Sequence, residues 1–246
     1  MIQEIWPVLW DEWIVFKRSW FQITTSAIIG PILYIVAFGL GLGGGSSLQG
    51  VTYVKFLIPG IVALTTMNAS YKAISTSLAT GRIYNKTFEQ FMIAPISMVS
   101  YCMGKAIAGS LRGFYAGLMV MGVAVLFGVK LHVTPDFFLI MLLSGLTFAC
   151  LGMFGAMVVK SHADMNRFGT FVMLPMSFLC GTFFSLDQLP VVMKEIIYIF
   201  PLTHISTMLR AIATYEAYTV GNLLTVGAYF IVFFLLALYR CYKVAA

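Results

Sequence analysis

Apolar residues run along this chain in six long blocks, and polar or charged residues collect in the short segments between them. The blocks cover about residues 20–42, 56–78, 106–128, 137–159, 168–184 and 219–239. At ~1.5 Å of rise per residue, about 20 helical residues match the ~30 Å hydrocarbon core of a bilayer. Barrel strands need only ~10 residues with strict alternation, a pattern these runs lack. The pattern predicts an all-α integral membrane protein, one domain over residues 1–246, with six transmembrane helices.

Residues 2–20 have a different rhythm. Ile2, Ile5, Trp6, Leu9, Trp13, Phe16 and Trp20 recur three and four apart, the period of an amphipathic helix. Its tryptophans suit the headgroup region, so the pattern predicts a separate interfacial helix, with Pro7 in its first turn as the start of the helix proper. Asp11 and Glu12 precede Lys17 and Arg18, the order that the helix dipole favours. The charges at Glu4, Asp11, Glu12, Lys17 and Arg18, with no small-residue cleavage site, are unlike a cleaved signal peptide.

Composition narrows the class. Hydrophobic residues make up 60% of the chain and charged residues 10%, against about 25% charged in soluble domains. The net charge of +6 lies beside the apolar blocks and reads as a topology signal, which argues against nucleic acid as a partner. With the N-terminus inside, Lys17, Arg18, Lys72, Arg82, Lys86, Lys105, Arg112, Lys160, Arg167, Arg240 and Lys243 fall on the cytosolic side. Only Lys55, Lys130, Lys194 and Arg210 fall opposite, so both termini are expected in the cytosol.

Two connections exceed a turn. In the cytosolic segment 81–105, Thr87 and Gln90 have capping-box spacing, and Pro95 stops the short helix they begin. Phe88, Phe91 and Met92 are expected to be exposed there, either for docking to a soluble partner or dipping into lipid. The outer segment 185–221 holds two short amphipathic stretches parted by Pro201, which read as a re-entrant or interfacial hairpin capping the bundle.

Candidate chemistry is sparse. Gly109, Gly113 and Gly117 form a small-residue row that admits a neighbouring helix closely, for packing or for sliding. Lys72 and Arg112 lie about 9–10 Å inside spans two and three. They either snorkel to lipid phosphates or, facing inward, attract an anionic headgroup along a substrate path. Cys102, Cys150, Cys180 and Cys241 read as buried hydrophobes, and His132, His162 and His204 lie in separate loops, so no metal site is expected. No Ser-His-Asp or Cys-His set meets at one depth, so no catalytic residue is assigned and an intramembrane enzyme is disfavoured. The phosphate-binding loop G-x-x-x-x-G-K-[ST] does not occur, so no nucleotide is expected to bind this chain by that route.

One stretch is specific. Phe178-Leu179-Cys180-Gly181-Thr182-Phe183-Phe184-Ser185-Leu186-Asp187-Gln188-Leu189-Pro190, then Phe200-Pro201-Leu202-Thr203-His204 and Arg210, resembles the signature of the ABC-2 family of ABC-transporter permeases. Thr87-Phe88-Glu89-Gln90-Phe91-Met92-Ile93-Ala94-Pro95 resembles that family's coupling segment, with Phe91 where leucine is usual. Within the family the chain is most similar to permeases of nodulation lipo-oligosaccharide exporters and daunorubicin-type drug exporters.

The resemblance implies a non-enzymatic half-transporter in a bacterial inner membrane. Two copies pair, and each docks a cytosolic ATP-binding subunit through Thr87, Phe88, Glu89, Gln90, Phe91, Met92 and Pro95. ATP and magnesium are bound by that subunit. An outer gate is implied at Gly181, Phe183, Phe184, Asp187, Leu189, Pro190 and Pro201. The cargo implied is an amphiphile: a lipid-linked saccharide, a lipid or a hydrophobic drug. A stand-alone carrier or channel is the alternative, and it needs no ATPase.

Overall fold

A computed structural model describes residues 2–40, 47–48, 51–129, 131–184, 186 and 189–245. The elements run α1 (Ile2–Tyr34) with a π-helical extension (Ile35–Leu40), a two-residue antiparallel pair β1 (Ser47–Leu48) and β2 (Val51–Thr52), and α2 (Tyr53–Ile83). There follow α3 (Thr87–Ile93), α4 (Met98–Leu126), α5 (Pro135–Val158), α6 (His162–Leu179), α7 (Val191–Tyr198), α8 (Pro201–Ala213) and α9 (Val220–Ala245).

The described residues are helical apart from that small β pair, as expected of a helical membrane protein. Four helical stretches are long and apolar enough to cross a bilayer: Gln3–Ala37, Met98–Leu126, Pro135–Val158 and Val220–Ala245. Spans two and five correspond to α2 and α6. α2 carries Asn68 and Lys72 mid-helix, and α6 begins with Asp164, Asn166 and Arg167, which dilutes both.

The N-terminal expectation is corrected. Residues 2–20 and the first span form one continuous helix, and Pro7 lies inside it rather than at its start. Neither glycine nor proline falls between Pro7 and Gly30, so the backbone has no reason to break. The helix is also held along its length by α4. Glu4 accepts hydrogen bonds from the Ser97 backbone N–H at 3.0 Å and its hydroxyl at 2.8 Å. Further along, the Thr24 and Tyr115 hydroxyls are 2.8 Å apart. The first half of α1 therefore runs alongside α4 instead of forming a separate helix.

The core lies where α2, α4 and α5 meet, with Leu57, Ile61, Met67, Ile74, Met141 and Phe148 fully buried. The row Gly109, Gly113, Gly117 supplies the closest approach. A Cβ at Gly113 would stand 2.8 Å from the Thr66 carbonyl oxygen and collide with the Ser70 hydroxyl, so α2 sits on α4 with no room for a methyl group. Gly145 does the same for α5 on α4, where a Cβ would lie 2.7 Å from the Ser110 Cα.

Helix ends are satisfied locally. Ser97 and Ser161 cap α4 and α6 by accepting from the N–H of Ser100 at 3.3 Å and of Asp164 at 3.1 Å. Arg82, counted above as a topology charge, donates to the Met157 and Val159 carbonyls and so caps the end of α5. α9 packs on α5, and α8 crosses α2 and α9. α7 and α8 meet at a 98° bend, with Pro201 the first residue of α8.

Candidate transport groove and docking helix

α1 and α2 diverge on one side of the bundle and leave a groove of about 580 Å³. α1 supplies Asp11, Ser19, Ile23 and Ser26, and α2 supplies Thr65, Asn68, Lys72 and Thr76. Both sets recur at helical spacing, so each forms one stripe of small or polar side chains facing the same space. Asn68 Nδ2 donates back to the Leu64 carbonyl at 3.0 Å, which leaves its oxygen toward the groove. Lys72 is exposed, and among the described residues no ion pair holds its side chain. Hydroxyls and an amide supply hydrogen bonds, while Lys72 supplies positive charge.

Arg112 also lines the groove but is not free to serve it in the same way. Its guanidinium is buried, 2.7 Å from Glu12 Oε2, and donates to the Glu12 carbonyl oxygen at 2.6 Å. Glu12 Oε1 in turn accepts from Lys105 Nζ at 2.6 Å and from the Ser77 hydroxyl at 2.7 Å. Lys105 also reaches Asp11 Oδ2 at 3.3 Å. Two carboxylates thus balance two cations where α1, α2 and α4 meet.

Sequence reasoning treated Glu12 as an exposed acid on an interfacial helix. The signal was nonetheless present. Glu12 follows Val8 by one helical turn on the face that meets α4, and Lys105 and Arg112, seven apart, share a face of α4.

The short helix α3 juts from the end of the bundle below this cluster. Its expected capping box is not made. Lys86, in left-handed backbone with φ 53°, occupies the cap position without a side-chain bond, and Thr87 is the first helical residue, its hydroxyl against Gly81. Pro95 follows the end, as expected, after the extended Ala94.

The exposed set also differs. Phe88 is buried, edge-on to Tyr101 with centroids 5.7 Å apart. Phe91 and Met92 are half-buried, and Phe91 lies 5.2 Å from the same ring. Lys105 Nζ stands 5.8 Å from the Phe91 centroid, so α3 touches the charge cluster directly. Glu89, Gln90 and Pro95 face outward with Ile93, which is 87% exposed and was not singled out. A seven-residue helix held by two inward aromatics has to turn its other face out; the motif alone did not say which residues those are.

At the opposite end, α6 stops at Leu179 and the chain turns through Gly181, whose φ of +69° suits a residue without a side chain. The carbonyls freed by that turn are gathered by donors from α2 and α8. Arg210 donates to the Gly181 carbonyl at 2.7 Å and the Phe56 carbonyl at 3.3 Å, and stacks 3.7 Å over the Phe56 ring. Ser206 donates to Cys180 at 3.0 Å and Tyr53 to Phe183 at 2.8 Å. Phe183 is half-buried against Tyr34, with centroids 5.1 Å apart, and Phe184 is half-buried beside it. Leu189 is half-buried, Pro190 exposed at the start of α7, and Pro201 buried. Asp187 lies outside the described residues. Among those described, the expected gate residues converge on one end, and Arg210 fastens them.

Comparison with known proteins follows the same extent. The profile of the ABC-2 type transporter family matches residues 3–214. The "Inner membrane transport permease YadH" of Escherichia coli K12 is 24% identical over 216 residues, spanning 85% of this chain and 84% of that protein. "Nodulation protein J" of Rhizobium meliloti is 29% identical over 213 residues, spanning 82% and 81%. "Nodulation protein J" of Rhizobium leguminosarum bv. viciae is 27% identical over 214 residues, spanning 83% and 80%. A match over nearly all of the helical bundle, from α1 through the outer helix α8, means that this chain belongs to the ABC-2 type transporter family.

Proposed function

We propose that the chain is the membrane half of an ATP-driven exporter in an inner membrane. It crosses six times through α1, α2, α4, α5, α6 and α9, with both ends in the cytosol. The observation that carries the transport reading is the polar stripe of α2. Thr65, Asn68, Lys72 and Thr76 line open space in the middle of a helix packed between apolar neighbours. Such side chains are costly against lipid, so they belong on a wall that meets water, cargo or another protein.

Two copies meet across their grooves and enclose a path between them. The hydroxyls and Lys72 receive the polar head of an amphiphile, and the open side of the groove leaves its apolar part in lipid. α3 docks an ATP-binding subunit through Glu89, Gln90, Ile93 and Pro95. Closure of the nucleotide-bound ATPase pair presses α3 onto Tyr101 and Lys105, and α1 and α4 follow as one body through Glu12. The turn at Gly181 to Phe184 and the bent pair α7–α8 then open outward, a two-state motion biased by the nucleotide. Hydrolysis, with ATP and magnesium, occurs on the partner.

The test is reconstitution of the chain with the ATP-binding subunit encoded beside it. Cargo-stimulated ATPase activity and ATP-dependent loss of a fluorescent amphiphile from the inner leaflet are expected. Transport by the chain alone, or no association with the ATPase, overturns the reading.

A further inference from the structure

All four tryptophans of the chain lie on α1 and are exposed: Trp6 by 65% and Trp10, Trp13 and Trp20 each by 54%. With Lys17 they form one stripe at spacings of four, three, four and three residues, the repeat that keeps side chains on one helix face. The stripe borders a second cleft, of about 480 Å³, between α1 and α4, floored by Leu111. No α1 residue lines both this cleft and the transport groove. The two openings are on different sides of the helix.

Charge on α1 is sorted by face. The acids Asp11 and Glu12 turn to Lys105 and Arg112 of α4. The cations Lys17 and Arg18 stay exposed, and among the described residues they make no ion pair. A belt of tryptophans seats at the level of lipid headgroups, and unpaired cations beside it attract phosphate. Lysine is suited to this, because its stem lies along apolar surface while the ammonium reaches outward.

We propose that this face is a binding site for an anionic phospholipid, separate from the path taken by cargo. One acyl chain lies in the cleft against Trp6, Trp10 and Leu111, and the phosphate is held by Lys17 and Arg18. The bound lipid acts as a third strut along α1 and α4, over the Glu12 cluster.

The tryptophans make the site self-reporting, since no other tryptophan contributes to the fluorescence. The full-length chain is reconstituted in phosphatidylcholine vesicles containing increasing fractions of either phosphatidylglycerol or phosphatidylcholine with brominated acyl chains, which quench on contact. Phosphatidylglycerol is expected to quench at severalfold lower mole fraction, with about a fivefold preference from each cation. Lys17→Gln with Arg18→Gln should abolish the preference while leaving quenching by both lipids, and Lys72→Gln in the transport groove should leave it intact.

Equal quenching by the two lipids in the natural chain would mean ordinary annular lipid and overturn the site. A preference that survives the double substitution, or one lost in Lys72→Gln, also overturns it. Absence of quenching by either lipid would mean that protein covers the face, which rejects the proposal as well.

Discussion

Glu12 Oε1 lies 2.6 Å from Lys105 Nζ, with both side chains almost fully withdrawn from solvent. The carboxylate belongs to the N-terminal helix and the ammonium to the first turns of α4, more than ninety positions later. This pair, with Arg112 on the far side of the carboxylate, joins α1 to the bundle and lies against the aromatic floor of the docking helix. It is why α1 and α4 move together in the proposed cycle.

Removing the shared partner should be far more damaging than removing one of those around it. Glu12→Gln leaves two buried cations with Asp11 as their only acid, and an expected loss of about 3–5 kcal/mol. Lys105→Met leaves Glu12 still paired with Arg112 and should cost less. Ser77→Ala removes one hydrogen bond, about 0.5–1.5 kcal/mol. Thermal unfolding of the purified variants in one detergent gives the order; equal losses for all three would show that the cluster is not organised around Glu12.

The glycine row separates packing from mere helix content. Gly113→Ala drives a methyl group into Ser70 and the Thr66 carbonyl, with an expected cost of about 1–3 kcal/mol from forced separation of α4 and α2. Gly122→Ala, on the same helix with nothing within 4 Å of the added carbon, should be neutral or stabilising by about 0.5–1 kcal/mol. Unfolding midpoints moving the same way in both variants would contradict the packing described.

On α3 the two faces should fail differently. Phe88→Ala empties a buried aromatic site and should lower stability by about 3–5 kcal/mol. Ile93→Asp and Glu89→Ala alter exposed positions and should leave stability within about 0.5 kcal/mol. Yet they should sever stimulation of the ATP-binding subunit, seen as ATPase activity that no longer responds to the permease. Normal stimulation in both surface variants would remove α3 as the docking element.

Arg210 should resist conservative replacement. Arg210→Lys keeps the charge but cannot donate to the Gly181 and Phe56 carbonyls at once while stacking on the Phe56 ring. An expected loss of about 2–3 kcal/mol follows from one charged hydrogen bond and the stacking contact. Melting of this variant at the natural temperature would mean that the turn at Gly181 is held by Ser206 and Tyr53 alone.

Lys72 should matter for cargo and not for folding. Lys72→Gln removes an exposed, unpaired charge, so the unfolding midpoint should be unchanged. Transport of an anionic amphiphile should fall severalfold against that of a neutral analogue in the same vesicles, as one attractive charge is worth ~1 kcal/mol at the membrane surface. An equal fall for both cargoes would assign Lys72 to anchoring in lipid.

The element order was legible before any coordinates, because apolar blocks of bilayer length leave the backbone little choice but helix. The glycine row on α4, the turn at Gly181 and the breaks at Pro95 and Pro201 were legible for the same local reason: these residues constrain backbone or close approach wherever they occur. Less was legible at the ends of the bundle. The capping role given to Thr87 failed because a cap is set by the φ of the preceding residue, and Lys86 enters α3 in left-handed backbone. Phe88 was expected outside because a seven-residue motif shows which residues are apolar, not which side the bundle lies on.

Local chemistry along the chain dictated helices, their approximate lengths, the membrane class and the short outward helix with its proline stop. Tertiary structure alone decided that residues 2–20 run on into α1 beside α4, that Arg112 answers a carboxylate, and that Lys72 stays unpaired beside open space. The division has one physical cause. Backbone hydrogen bonding and hydrophobic periodicity act over a few residues, whereas the partner of a buried charge is set by which distant helices share a face, and Glu12 meets Lys105 only once α1 and α4 have packed.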